Sequence, residues 1–299
     1  MKNIFFLLIS IFLFSCQSKP AELAIKNVTL IDAINGMRKN QTVIIDQDRI
    51  VKIFSSESNL LPPVSQILDG EGKYLIPGLW DFHVHMTYDD RFTDRMPAMF
   101  LYYGVTSVRD TGGLLPKILP LVKMLRKEET IGPRIFFSGP LLDGKLVVYD
   151  GNSRPKIGVN NISPEQARNN VKELKKSGVD FIKIYELVSP DVFAALVDEA
   201  NNLLLPIDSH VPLSMRASNA GPMVDSIEHL RNIELDCASN SAELHETRLE
   251  HLRNPENLSG FELRAKLHEL QRLPAISDYD ELRCEKTLQS LINTMQVPT

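Results

Sequence analysis

The chain has 299 residues, a formal net charge of −5, 43% hydrophobic and 24% charged residues. That length supports a large core, with one domain plus a small accessory unit as the default. A mildly acidic chain with no basic run argues against nucleic acid as a partner.

Lys2 and the apolar run 4–14, interrupted only by Ser10, read as a signal sequence. The run is short for a membrane span and meets polar Gln17-Ser18-Lys19-Pro20 at once. Leu13-Phe14-Ser15-Cys16 looks like a bacterial lipobox, in which Cys16 becomes the lipidated first residue; an ordinary cleaved signal is the alternative. Residues 1–15 are set apart as a lipoprotein signal peptide. The expected place is the bacterial cell envelope, periplasmic or at the outer membrane, with the lipid anchor the only membrane contact. Cys237 and Cys284 have no framework spacing; pairing stays open, and free buried thiols are the expectation.

Residues 22–74 carry three β-patterned runs, 23–31, 42–45 and 49–54, punctuated by Asn35-Gly36 and Asp46-Gln47-Asp48. They predict a small unit of short antiparallel strands, part of a β-sandwich, with no chemistry in its interior. A buried strand is expected over 74–80, leading into Asp81-Phe82-His83-Val84-His85. Strands and helices then alternate: helix 93–103, strand 105–109, helix 115–127 and strand 134–138. Helix 163–177 follows, with Ser163 as N-cap and Pro164 at its first position, then strand 180–185, helix 190–202 and strands 204–209 and 224–228. Short apolar strands separated by helices are parallel strands covered on both faces, in a doubly wound sheet or a (β/α) barrel.

His83 and His85, at i and i+2, share one side of a strand, and imidazole suits zinc and similar ions. Lys183 lies in the fourth strand of this series, and His210 and His229 end the fifth and sixth. Taken singly, these are also hydrogen-bonded core histidines and a snorkelling lysine. Together, at one level of successive strands, they favour a barrel, whose strand ends converge on one face. Tyr185, on the face of Lys183, is the candidate for orienting substrate, or else a packed core tyrosine. Arg109 and Asp110 either face the pocket or form a structural ion pair. His245, His251 and His268 fall in helices expected over 242–252, 260–272 and 280–293 and are read as solvated.

Taken in order, these motifs resemble the metal-dependent amidohydrolase superfamily, in its imidazolonepropionase-like and prolidase-like branch. The resemblance is carried by Ile76-Pro77-Gly78-Leu79-Trp80-Asp81-Phe82-His83-Val84-His85, Gly104-Val105-Thr106-Ser107-Val108-Arg109-Asp110 and Gly132-Pro133-Arg134-Ile135. Phe181-Ile182-Lys183-Ile184-Tyr185, Asp208-Ser209-His210-Val211 and Ser226-Ile227-Glu228-His229-Leu230 continue it.

The resemblance implies a (β/α)8 TIM-type barrel over 75–299, incomplete with about seven strands, beside a partial β-sandwich over 22–74 and with a helical insertion at about 238–293. It implies two divalent ions, zinc being the expected metal. His83 and His85 would hold one, His210 and His229 the other, and Lys183 would bridge them after carbamylation by CO2. Carbamylation needs the neutral amine, which low-dielectric surroundings favour. A metal-bridging hydroxide would then hydrolyse the C–N bond of an amide, a cyclic amide or a dipeptide. That small molecule is the expected partner, and a homo-oligomer is allowed.

Two departures from the family pattern shape the expectation. A Gly-Gly-His stretch found in some dipeptidase-like relatives is missing from Leu141-Leu142-Asp143-Gly144-Lys145-Leu146-Val147-Val148-Tyr149-Asp150-Gly151, which puts dipeptidase specificity in question. The aspartate expected after an eighth strand, ligand and proton shuttle, has no counterpart after His229. Residues 294–299 read as the beginning of a seventh strand. The chain is therefore expected to be a truncated form of a hydrolase. The alternatives are an inactive fragment, a metal- or ligand-binding lipoprotein, and a lipid-anchored interaction module using 238–293 as a partner surface.

Overall fold

The computed structural model describes residues 19–58, 60–152 and 154–297; the expected signal peptide over 1–15 and the expected lipidation at Cys16 lie outside them. The chain divides into two compact units, one ending at Pro77 and one over Gly78–Thr299.

The first unit is a five-stranded sheet of β1 (Ala21–Asp32), β2 (Gly36–Asp46), β3 (Arg49–Ser55), β4 (Val64–Asp69) and β5 (Tyr74–Leu75). Its order is β3-β2-β1-β4, with β5 also on β1. The expected antiparallel arrangement holds only for β1–β2 and β2–β3; β4 and β5 run parallel to β1. Pro62-Pro63 before β4 cannot make a two-residue hairpin, and the chain crosses to the far side of β1. Among the described residues this unit is one sheet, with Val28, Leu30 and Val43 at its core. The single buried strand expected over 74–80 is split: β5 ends at Leu75, and Pro77 has no N–H to offer a ladder. A new strand, β6 (Leu79–Val84), begins with Leu79 and Trp80 exposed.

The second unit alternates strands and helices. After β6 come α1 (Met96–Tyr102), β7 (Val105–Asp110), α2 (Leu115–Leu125), β8 (Arg134–Phe137), β9 (Leu141–Asp143) and β10 (Gly158–Asn160). The expected loop from Leu141 thus opens as a strand. α3 (Pro164–Lys176), β11 (Ile182–Ile184), α4 (Pro190–Asn202), β12 (Ile207–Ser209), α5 (Ala217–Ala220), β13 (Ser226–Glu228) and α6 (Ile233–Asp236) follow. All the strand pairings in this unit are parallel, in two sheets of order β6-β7-β8 and β10-β9-β11-β12-β13-β14. β14 (Met295–Val297) lies beside β13. Asp180 joins the sheets: its N–H donates to Phe137 O at 2.9 Å and its carboxylate accepts from Phe137 N at 2.9 Å. The described strands form these two parallel sheets, with no closed ring among them.

Helix faces explain the core. In α3, Ala167, Val171 and Leu174 recur at i, i+4 and i+7 and are buried, while Ser163 caps the helix by accepting from Gln166 N. Phe193 and Leu196 of α4 pack with Ile182, Ile184, Ile207 and Ile227 of the sheet. Each such side chain contributes roughly 1.5–3 kcal/mol on burial. Three further helices, α7 (Ser241–Arg253), α8 (Gly260–Ser277) and α9 (Glu281–Ser290), precede β14. Among the described residues no helix is long and apolar enough to cross a membrane.

The free thiols expected at Cys237 and Cys284 are instead one disulfide. The backbone brings the segments together: Asp280 N donates to Cys237 O at 2.8 Å, and Ser239 N to Asp278 O at 2.8 Å. With the cysteines 47 positions apart in sequence, loop-closure entropy assigns the crosslink about 4 kcal/mol.

Candidate metal centre

His83, His85, Lys183, Tyr185, His210 and His229 line one cavity of about 220 Å³, with Leu141, Tyr149 and Arg231. The strands explain the convergence. Lys183 of β11 is in register with Asp208 of β12, which is in register with Ser226 of β13. In-register residues of parallel neighbours point to the same side, so the three meet. Lys183 Nζ donates to Asp208 Oδ2 at 2.9 Å and Ser226 Oγ to Asp208 Oδ1 at 2.7 Å. Arg109 of β7 reaches across to donate to Ser226 and Glu228 and lies 3.5 Å from Asp208. Asp110, by contrast, is fully buried and structural, accepting from the backbone N–H of Met86 and Gly112.

The histidine rings form a chain of contacts. Centroids are 5.1 Å apart for His83 and His85, 4.4 Å for His83 and His229, and 4.9 Å for His229 and His210. His83, Glu228 and His229 bring ligand atoms within 4.8 Å of one another. This trio cuts across the pairing of His83 with His85 and of His210 with His229, and it includes Glu228, which strand alternation alone does not flag. The reason is local: His229 leaves the strand with φ 61°, so it and Glu228 no longer take opposite sides. Leu230 (φ 52°) and Asn232 (φ 66°) are also left-handed, at roughly 1–3 kcal/mol each for residues other than glycine. Asn232 holds the turn from within, donating to Val211 O at 3.0 Å and accepting from Gln271 Nε2 at 3.3 Å.

Burial disfavours protonation of all four imidazoles, reinforced by Lys183 at His83 and His210 and by His83 at His85 and His229. His83 and His85 fall to about 4, His229 to about 3, and His210 well below the usual range. At neutral pH they are neutral imidazoles, the form that binds metal. Partners at Nδ1 orient three of them. His85 Nδ1 meets Gly112 O at 3.0 Å, and a carbonyl only accepts, so Nδ1 carries the proton and Nε2 the lone pair. His210 Nδ1 meets Glu186 at 2.6 Å and His83 Nδ1 meets Glu228 at 2.5 Å. Gly112 leaves little room here: a Cβ would stand 3.0 Å from the His85 ring and 2.9 Å from a terminal methyl of Leu141. Burial pushes Glu228 up to about 8 against the pull of Lys183, while Lys183 and Arg109 hold Asp208 low despite its burial.

Glu186 organises the far wall. Fully buried, it accepts from His210 Nδ1, from Arg264 Nε and Nη2 at 2.9 and 3.1 Å, and from His268 Nε2 at 2.7 Å. Burial opposes its charge, but these donors outweigh burial and keep its pKa well below the ordinary value. His268 is therefore no solvated histidine; α8 delivers it and Arg264 to the support of His210. His245 and His251 are also partly buried, within α7. Tyr185 is buried between the Tyr149 and His210 rings, at 5.7 and 4.5 Å.

No family model matches the chain. Adenine deaminase 1 of Latilactobacillus sakei subsp. sakei (strain 23K) is 24% identical over 200 residues, 65% of this chain and 32% of that protein. The chain thus spans 32% of the length of the curated relative it matches. A prolidase solved with N-methylphosphonate-L-proline superposes with TM-score 0.62 and 21% identity, covering 93% of this chain and 78% of that one. A Xaa-Pro dipeptidase with bound methionine gives 0.61 and 18%, covering 92% and 78%. Aspergillus niger ochratoxinase gives 0.59 and 18%, covering 94% and 76%. These superpositions show that the chain shares the fold of the prolidase, the dipeptidase and the ochratoxinase.

Proposed function

We propose that this chain is a metal-dependent hydrolase of a C–N bond in an amide, cyclic amide or dipeptide, built on a (β/α) barrel and anchored in the cell envelope through Cys16. One observation carries the reading: four neutral histidines in ring contact surround buried Lys183, three with Nδ1 tied to an acceptor. That donor set fits divalent zinc-like ions, with His83, His85, His210, His229 and Glu228 as nitrogen and oxygen ligands. Bound there, such an ion polarises the scissile carbonyl and acidifies water.

The protein's own groups do the rest. Gly112 O and Glu186 orient the imidazoles of His85 and His210, and Tyr185 stands beside His210 to position substrate. Asp208 holds the Lys183 ammonium. Carbamylation for a bridging role replaces that cation by an anion, and Arg109, 3.5 Å from Asp208, is the cation left to hold the carboxylate.

The test is metal analysis with and without chelation, beside amine release from acyl amino acids and dipeptides. The chain should bind two divalent ions, lose hydrolysis on chelation and regain it on zinc addition. Lys183→Ala should lose paired occupancy. Two tightly held ions in that variant exclude the bridge, and a chain that takes up no divalent metal excludes the hydrolase.

A further inference from the structure

The Cys237–Cys284 disulfide joins two segments that both lead to the proposed metal centre. Cys237 ends α6, and α6 begins directly after the left-handed turn of His229, Leu230 and Asn232. Cys284 lies in α9, which runs on through Leu291 to β14, and β14 pairs with β13, placing Val297 opposite Glu228. The crosslink therefore ties the chain that follows His229 to the strand beside it.

Neither segment is well held without that tie. α9 buries only Thr287, while its Leu282 and Leu288 are exposed, so little apolar packing fixes the helix. The turn persists only where its surroundings impose left-handed backbone on residues other than glycine. Asn232 imposes it from one side, through Val211 O and Gln271 Nε2, and α6, moored at Cys237, imposes it from the other. Backbone bonds from Asp280 N to Cys237 O and from Ser239 N to Asp278 O join the same segments, so opening the disulfide loosens them without parting them.

The two sulfurs differ in access. Cys237 is 2% exposed, whereas Cys284 is half-buried, and both border a cavity of about 600 Å³. A reductant thus meets Cys284 first. Leu230, the neighbour of His229, forms another wall of that cavity, so the disulfide and the turn face one space.

We propose that this disulfide is a redox latch on the turn that carries His229. Closed, it holds the turn and β14 in place; opened by a dithiol reductant, it lets both loosen, and the centre holds its metal less tightly. The last step rests on the metal-dependent reading above. One thiolate of the reductant attacks Cys284 Sγ, and the Cys237 sulfur leaves and takes a proton. The second thiol then displaces Cys284 from the mixed disulfide. Two electrons pass from the dithiol, which ends as a disulfide, and both cysteines end as thiols.

The test is amide hydrogen exchange of the full metal-free chain before and after reduction by tris(2-carboxyethyl)phosphine, which ends as its oxide with oxygen from water. Cys237→Ala/Cys284→Ser is measured beside it, because that variant is open yet adds no thiol that could bind zinc. Exchange over 229–232 and 295–297 should quicken about tenfold or more in both, with β7 and β8 unchanged. Zinc affinity of the variant, titrated against a competing indicator, should fall about tenfold or more. Unchanged exchange over 229–232 overturns the latch. So does a loss of protection that reaches β7 and β8, which makes the crosslink a general staple of the unit. A loosened turn with unchanged zinc affinity overturns the control of the metal. A chain that takes up no zinc even when oxidised refutes the hydrolase reading, while the exchange data still decide the latch.

Discussion

Glu186→Gln tests the support of the proposed metal centre most sharply. Four N–H groups converge on the Glu186 carboxylate, two on each oxygen. Glutamine keeps one acceptor oxygen and turns an NH2 group toward the other two donors. Whichever way it lies, two buried donors lose their acceptor, at roughly 1–3 kcal/mol each. The Arg264 charge, largely buried, also loses its counterion, and breaking a buried pair from one side costs about 3–5 kcal/mol. These are two views of one loss, so a total of about 3–5 kcal/mol is expected. For a chain of this size that lowers the melting temperature by on the order of 10 °C. His210 also loses the partner that fixes its Nδ1 proton, so metal affinity should fall about 10- to 100-fold. Thermal unfolding in chelator isolates the first effect, and zinc titration with a competing indicator the second. A variant melting within about 2 °C of the parent, with unchanged zinc affinity, refutes the role assigned to Glu186.

Gly112→Ala places a Cβ against the His85 ring and Leu141; the ring must tilt away from Gly112 O, and zinc affinity should fall about 10- to 100-fold, read by the same titration, with no loss contradicting the packing. Asp143, fully buried beneath three backbone N–H donors, is pushed by burial up to about 7. Its folded pKa exceeds the unfolded value, so its contribution is complete below about pH 4 and lost as pH rises through about 7, on the order of 4 kcal/mol in all. Denaturant unfolding between those limits should show a shallower pH slope in Asp143→Asn than in the parent; identical slopes would show that Asp143 does not carry the effect.

Much of the centre is legible in local pattern. His83 and His85 lie two apart at a strand end, and Lys183 is flanked by Ile182 and Ile184 in a three-residue strand; period-two alternation alone tells which way such residues point. The supporting groups are not legible in this way. Glu186 follows Tyr185 outside any strand, and its partners Arg264 and His268 come from a helix 78 and 82 residues away. The faint signal was their i, i+4 spacing, which puts both on one face of α8. Glu228 was hidden because alternation predicts that it faces away from His229, and only the left-handed turn at His229 reverses that.

By itself the sequence determined most of the alternation of strands and helices, the strand in which or just after which each ligand-type residue falls, and a strand at Met295–Val297, because apolar period and cap residues act within a few positions. Tertiary structure decided which strands pair, the parallel return of β4 and β5, the joining of Cys237 to Cys284, and the meeting of His83 with Glu228 across 145 residues. A side chain's period reports the face it takes; its partner is set by which distant face comes to lie opposite, and that depends on the packing of the whole unit.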